Sequence, residues 1–368
     1  MKKLGFGMMR LPNREGVIDV ELLKKMVDEY LSRGFTYFDT AWMYHNGKSE
    51  EMVKECLVDR YERDKFTITT KLPAYMINSF EDRDKVFETQ KKRTGCDYFD
   101  YYWLHDVNSH SISTFDRFDC WNYILEKKRK GEVKHIGFSY HDGPELLEEL
   151  LQKHPEVEYV QLQINYLDWK SLGVQSEKCY EVCVKYNKPV IVMEPVKGGT
   201  LTEVPDEVSQ MFKQKDPDMS IASWAIRFAA SLDNVYMVLS GMSNMEQLKD
   251  NLSYMEEFVP FDVDRKQMCL KAAEIINRSI AIPCTGCSYC TVNCPVAMPI
   301  PKYFSLYNAD KQEIASKGWS PHGEYYDNLT LSNPKASECI KCGQCETMCP
   351  QHLEIRKYLE DVAQYFER

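Results

Sequence analysis

Eight cysteines in the last quarter of the chain form two copies of one pattern: Cys284, Cys287, Cys290 and Cys294 before Pro295, then Cys339, Cys342, Cys345 and Cys349 before Pro350. The repeated C-x2-C-x2-C-x3-C-P spacing suits a pair of 4Fe-4S clusters, in which three close cysteines wrap one cubane and the fourth ligates the other. By that rule one cluster takes Cys284, Cys287, Cys290 and Cys349, and the other takes Cys339, Cys342, Cys345 and Cys294. A segment built this way handles single electrons. Zinc sites usually show two separated C-x2-C pairs, not four cysteines in such a short run. A disulfide framework belongs to short secreted chains, whereas this one has 368 residues and no apolar leader after Met1. The scattered Cys56, Cys96, Cys120, Cys179, Cys183 and Cys269 read as buried free thiols.

The length suits one large domain with a smaller one appended. We expect a barrel over residues 1–260, a linking helix over 261–282 packed on it, and a two-cluster domain over 283–368. No apolar run approaches the roughly twenty residues that span a bilayer. The net charge of −10 comes with no block of lysine and arginine, so a nucleic-acid footprint is missing. The expectation is a soluble, cytoplasmic protein of a low-oxygen cell, with no nucleic-acid or membrane partner.

Eight short β-branched or aromatic runs alternate with amphipathic helical stretches, the pattern of consecutive βα units. They lie near Leu4 to Met8, Phe35 to Asp39, Phe66 to Lys71, Phe99 to His105, Val133 to Ser139, Glu158 to Ile164, Pro189 to Glu194 and Val235 to Ser240. Between the first two, Leu22, Leu23, Met26, Val27, Tyr30 and Leu31 make one helical face, and Gly34 suits a left-handed C-cap. Eight such units predict an α/β fold, a (β/α)8 TIM barrel whose active site lies at the C-terminal strand ends. A Rossmann sheet lacks its G-x-G-x-x-G after the first strand. The strand ends present Asp39, Lys71, His105, Ser139 and Glu194, with Tyr44 in the loop after the second strand.

The stretch Gly5-Phe6-Gly7-Met8, the run Phe38-Asp39-Thr40-Ala41 with Tyr44, the Thr70-Lys71 pair and Leu104-His105 resemble an aldo-keto reductase. With the cysteine-rich tail, the chain resembles the ferredoxin-fused branch of that superfamily, barrel first and a ferredoxin-like α-helical domain with two 4Fe-4S clusters after it. The resemblance implies a catalytic tetrad of Asp39, Tyr44, Lys71 and His105. The chemistry agrees. Reducing a carbonyl with hydride requires a proton donor at the developing alkoxide, and a tyrosine of ordinary pKa near 10 is a sluggish one. The Lys71 ammonium is expected to lower that pKa, Asp39 to orient Lys71, and His105 to hydrogen-bond the carbonyl oxygen.

Cofactor contacts depart from the family pattern. The family holds the nicotinamide carboxamide with a Ser-Asn pair and a Gln, where this chain offers Ser139, Tyr140 and Gln161. The tyrosine that stacks on the ring corresponds here to Met193, beside Glu194. The basic residues that read the adenosine phosphate are replaced by Gly241, Met242, Ser243 and Asn244, then Gln247 and Asn251, with backbone N–H groups at a helix start as the remaining donors. Lys197 and Gly198 offer a further phosphate contact. Because a cluster passes one electron and a nicotinamide a hydride, flavin mononucleotide stands beside NAD(P)H as candidate cofactor.

The predicted activity is that of an oxidoreductase acting on a small carbonyl, alcohol or related substrate, with electrons relayed through the clusters and a redox partner protein. A conventional NAD(P)H-dependent reductase with structural clusters, and an electron-transfer module with a non-catalytic barrel, are the alternatives. Trp42, Met43, Trp103 and His141 are expected beside the site, Arg10 as an anion contact, and Asp106 to Cys120 as a polar mouth loop. Tyr303, Phe304, Tyr307, Trp319, Tyr325 and Tyr326 are expected to shield the clusters, cover the mouth or form a core.

Overall fold

A computed structural model describes every residue except 1, 278–280, 285, 293, 313–319, 350 and 368. Pro350 and Trp319 therefore lie outside the described residues.

All eight anticipated runs are strands. They are β1 (Leu4–Gly7), β4 (Tyr37–Asp39), β5 (Thr67–Pro73), β6 (Phe99–Val107), β7 (Val133–Tyr140), β8 (Tyr159–Gln163), β9 (Val190–Met193) and β10 (Val235–Ser240). They close as a parallel barrel, β1 pairing with both β10 and β4. A small hairpin of β2 (Asn13–Arg14) and β3 (Val17–Ile18) follows β1. Its turn, Glu15-Gly16, has positive φ at both residues, the geometry that a two-residue hairpin needs.

The first helix, Val20–Ser32, begins at Asp19, whose carboxylate accepts from the Leu22 N–H, and it buries Leu23, Met26, Val27 and Tyr30. Tyr30 shows how the wall is tied together: its hydroxyl donates to the Leu4 and Tyr37 carbonyls at 2.7 and 2.9 Å. The barrel interior holds an aromatic layer of Tyr37, Tyr101, Trp103 and Tyr159. Trp103 thus lies inside the barrel and not at the mouth. The stretch after β6 is not all loop, because Asn108 Oδ1 caps the backbone N–H groups of His110 and Ser111 and a helix, Ile112–Arg117, follows.

The linking helix runs from Val263 to Asn277 and buries Cys269, Ala272, Ala273, Ile275 and Ile276 in the barrel's own core. The tail then packs helices Ile300–Gln312, Pro321–Thr330 and Ile355–Phe366 around a second core of Tyr303, Phe304, Tyr326, Ile355, Leu359 and Val362. Val174, from the barrel loop after β8, joins that core. Among the described residues no helix is long and apolar enough to cross a membrane.

Candidate active site and cluster sites

Asp39, Lys71 and His105 stand at or near the C-terminal ends of β4, β5 and β6, where strand geometry aims alternate side chains into the mouth. Lys71 Nζ lies 2.6 Å from Asp39 Oδ1 and also donates to the Thr40 carbonyl at 2.9 Å. Both side chains are almost fully buried, at 1% and 2% exposure. Burial pushes Asp39 up and Lys71 down, and their mutual attraction opposes both shifts. Tyr44 comes from the loop after β4, its ring 5.2 Å from Lys71 Nζ and 6.1 Å from the His105 ring. The next three residues, His45, Asn46 and Gly47, all have positive φ, so the loop turns sharply behind Tyr44. Hydrogen bonds from Thr40 to Ser49 (2.8 Å) and from Ser49 to the Met8 carbonyl (2.9 Å) hold that turn against the barrel.

The four residues therefore meet, but Tyr44 differs electrostatically from expectation. Burial, then the carboxylates of Asp39, Glu194 and Asp106, push its pKa well above 10. The Lys71 ammonium donates to Asp39 at 2.6 Å and to the Thr40 carbonyl at 2.9 Å, and it does not outweigh burial and those carboxylates at Tyr44. The phenol is therefore held in its neutral form. His105 is held down to about 3 by burial and then by the Lys71 charge, so its ring is neutral.

Behind Lys71 lies a network that the sequence did not reveal. Buried Glu50 accepts from Thr70 and Gln90 at 2.8 Å each, Gln90 donates to the Lys71 carbonyl at 2.9 Å, and Tyr102 donates to Gln90 at 2.7 Å. Arg93 lies 3.4 Å from Glu50 and covers the Trp42 ring. Met43 is exposed.

The cofactor candidates divide. Ser139 and Gln161 are cross-strand neighbours on β7 and β8. Ser139 Oγ accepts from the Asp106 N–H at 2.7 Å, and the buried Gln161 Oε1 has no partner, which suits a carboxamide or ring N–H of a cofactor. Glu194, φ 54, accepts from the Gly198 N–H at 2.6 Å. Lys197 is corrected: it is fully buried, and its ammonium contacts Asp168 at 2.9 and 3.1 Å and the tail's His322 at 2.9 Å. It ties the two domains together instead of facing a phosphate. Asn251 is corrected too, since it turns inward to Ser240 and Tyr254. Gln247 accepts from the Ser243 N–H, and Ser243 Oγ donates to the Arg10 carbonyl. Arg10 itself is exposed and lies along Gly241.

The tail reaches the mouth. Besides His322, helix Pro321–Thr330 supplies Glu324, which accepts from Asn108 Nδ2 at 2.8 Å, and Asn328, which donates to the His141 carbonyl at 3.1 Å. Tyr325 packs near His141, with ring centroids 6.2 Å apart. Glu324 is pushed up to about 10 by burial and by hydrogen bonding to Asp106.

In the tail, two small pockets gather the cysteines in crossed sets. Cys284, Cys287, Cys290 and Cys349 line one, and Cys294, Cys339, Cys342 and Cys345 line the other. The barrel's Leu172 rests on Gly286, inside the first set. The six other cysteines are free and buried.

This barrel, with its strand-end tetrad residues, makes the chain a member of the aldo/keto reductase family, whose sequence pattern matches residues 3–272. Residues 283–353 match a 4Fe-4S dicluster domain, so the chain is a ferredoxin-fused member and an oxidoreductase. An uncharacterized oxidoreductase of Bacillus subtilis, YqkF, is 26% identical over an alignment of 259 positions, with 62% of this chain and 80% of that protein covered. The holo form of Bacillus halodurans aldo-keto reductase AKR11C1 has a TM-score of 0.58 at 23% identity, covering 73% of this chain and 91% of that one. An aldo-keto reductase of Klebsiella pneumoniae in complex with NADPH has the same TM-score at 16% identity, covering 74% and 90%. These two likenesses speak to the fold.

Proposed function

We propose that this chain interconverts a small organic carbonyl and its alcohol at the barrel mouth, and that the two clusters exchange electrons with that site. The observation that carries the reading is the meeting of Tyr44, Lys71, Asp39 and His105 at a mouth over which the cluster domain lays a helix. In the reduction direction Tyr44 donates its proton to the developing alkoxide, being neutral at rest. His105, also neutral, offers an N–H to the carbonyl oxygen and sets its orientation. Lys71, held by Asp39, stabilises the tyrosinate left behind. The Glu50–Gln90 network keeps Lys71 in place.

A bound nicotinamide would supply the hydride, with its carboxamide at Gln161 and Ser139 and its phosphates beside Arg10 and the N-terminus of helix Met245–Met255. The NADPH complex of the Klebsiella pneumoniae protein supports this choice. Flavin mononucleotide is the second reading, favoured by Met193 in place of a stacking aromatic and by the need to join two-electron to one-electron chemistry. Cys284, Cys287, Cys290 and Cys349 would hold one 4Fe-4S cluster, and Cys294, Cys339, Cys342 and Cys345 the other. A cytoplasmic, low-oxygen setting and a redox partner protein belong to the same proposal.

Anaerobic isolation, iron counting and mass identification of any released cofactor come first, followed by turnover on a panel of small aldehydes and ketones. Tyr44→Phe should lower turnover by about 10²- to 10⁴-fold with iron unchanged. Unaltered turnover in that variant would overturn the proton-donor role.

A further inference from the structure

We propose that Asp106, His141 and Glu324 form a site for one divalent cation, of the ligand preference of Mn²⁺ or Fe²⁺, that bridges the barrel and the cluster domain. Three elements converge there: Asp106 near the end of β6, His141 one residue past β7, and Glu324 on helix Pro321–Thr330. One ligand atom from each lies within 4.8 Å of the other two, so a modest side-chain adjustment closes them on one ion. Two carboxyl groups and an imidazole match the hard and borderline donors such ions prefer.

The independent observation is His141. Its side chain is nine-tenths buried, at 9% exposure, and its Nδ1 has no hydrogen-bond partner. A buried ring nitrogen left unsatisfied is costly unless something occupies it. Among the described residues no lysine or arginine pairs with Asp106 or Glu324, so no side-chain cation compensates the two carboxyl groups. Asn108 Nδ2 donates to Asp106 Oδ1 at 3.0 Å and to Glu324 Oε1 at 2.8 Å, the outer-shell arrangement that orients carboxylate ligands. The competing account is a proton shared between the carboxyl groups. It satisfies them but leaves His141 Nδ1 unpaired. Neither account depends on the role given to Tyr44.

The test is titration of anaerobically isolated, cluster-loaded protein with Mn²⁺ after chelator treatment, reading free Mn²⁺ by electron paramagnetic resonance. One equivalent should bind per chain, and Glu324→Gln and His141→Gln should each weaken it at least tenfold with cluster iron unchanged. Should either variant lose iron, Asp106→Asn replaces it, because asparagine tolerates the positive φ of 61° at that position. No equimolar site in the native protein, or equal affinity in all variants, overturns the proposal in favour of the shared proton.

Discussion

Removing the ammonium of Lys71 exposes how much the active-site charge pair costs the fold. In Lys71→Met a side chain of similar length fills the space, but Asp39 is left buried beside apolar atoms, with Oδ2 already lacking a partner. Burial raises the Asp39 pKa, and Lys71 is the chief group opposing that rise, so in the variant the carboxyl climbs further. A carboxyl raised in the folded state is neutral-favouring there. Its penalty is absent below the unfolded value near 3.9 and grows with pH until the folded pKa is passed. Taking up a proton at pH 7 costs about 1.36 kcal/mol per unit above 3.9, or roughly 4 kcal/mol, within the range of about 3–5 for breaking a buried pair. At pH 5.5 the same calculation gives about 2 kcal/mol. Urea unfolding of the anaerobic, cluster-loaded variant at the two pH values should therefore show a loss that shrinks by about 2 kcal/mol on acidification. Adding Asp39→Asn should recover most of it, because no charge is then left unpaired. A loss independent of pH, or a double variant weaker than Lys71→Met, would refute this electrostatic account.

Two further outcomes follow from the site chemistry. Since His105 titrates only near 3, kcat/KM should show no His105 limb between about pH 5 and 8; a limb that disappears in His105→Gln would contradict its neutral role. The crossed cysteine sets predict that Cys294→Ala and Cys339→Ala each remove about half of the iron and that combining them removes no more, whereas Cys294→Ala with Cys284→Ala removes nearly all. Additive loss in the first pair would show that each motif holds its own cluster.

The barrel was legible because each strand is a short run of β-branched and aromatic residues bounded by polar turns, and all eight such runs pair as anticipated. The hairpin of Asn13–Arg14 and Val17–Ile18 escaped notice because two-residue strands have no periodicity to detect. Helix Ile112–Arg117 was hidden by a composition of Ser, Asp and Asn that ordinarily marks loops. Tetrad candidates could be chosen because residue type coincides with a strand end. Lys197 could not be placed: its Lys-Gly-Gly turn looks like a phosphate loop, while its partners stand 29 and 125 residues away. The Glu50–Gln90 support of Lys71 is equally non-local, 40 residues apart. Glu324 carries no local signal at all, because only the docking of the tail gives it a function.

That docking changes what the barrel can be. Here Lys197 has no exposed surface, and Asp168 and His322 surround its ammonium. Taking away the tail would strip His322 from Lys197, Glu324 from Asn108 and Asn328 from the His141 carbonyl together. Three polar contacts thus join the tail to the barrel mouth and make it part of the mouth's structure. Leu172 of the barrel, resting on Gly286 between Cys284 and Cys287, puts the first cysteine set on the barrel side of the tail. The same interface that completes the mouth thus brings one cluster site against the barrel, which is the geometry an enzyme needs if single electrons are to pass between the two domains.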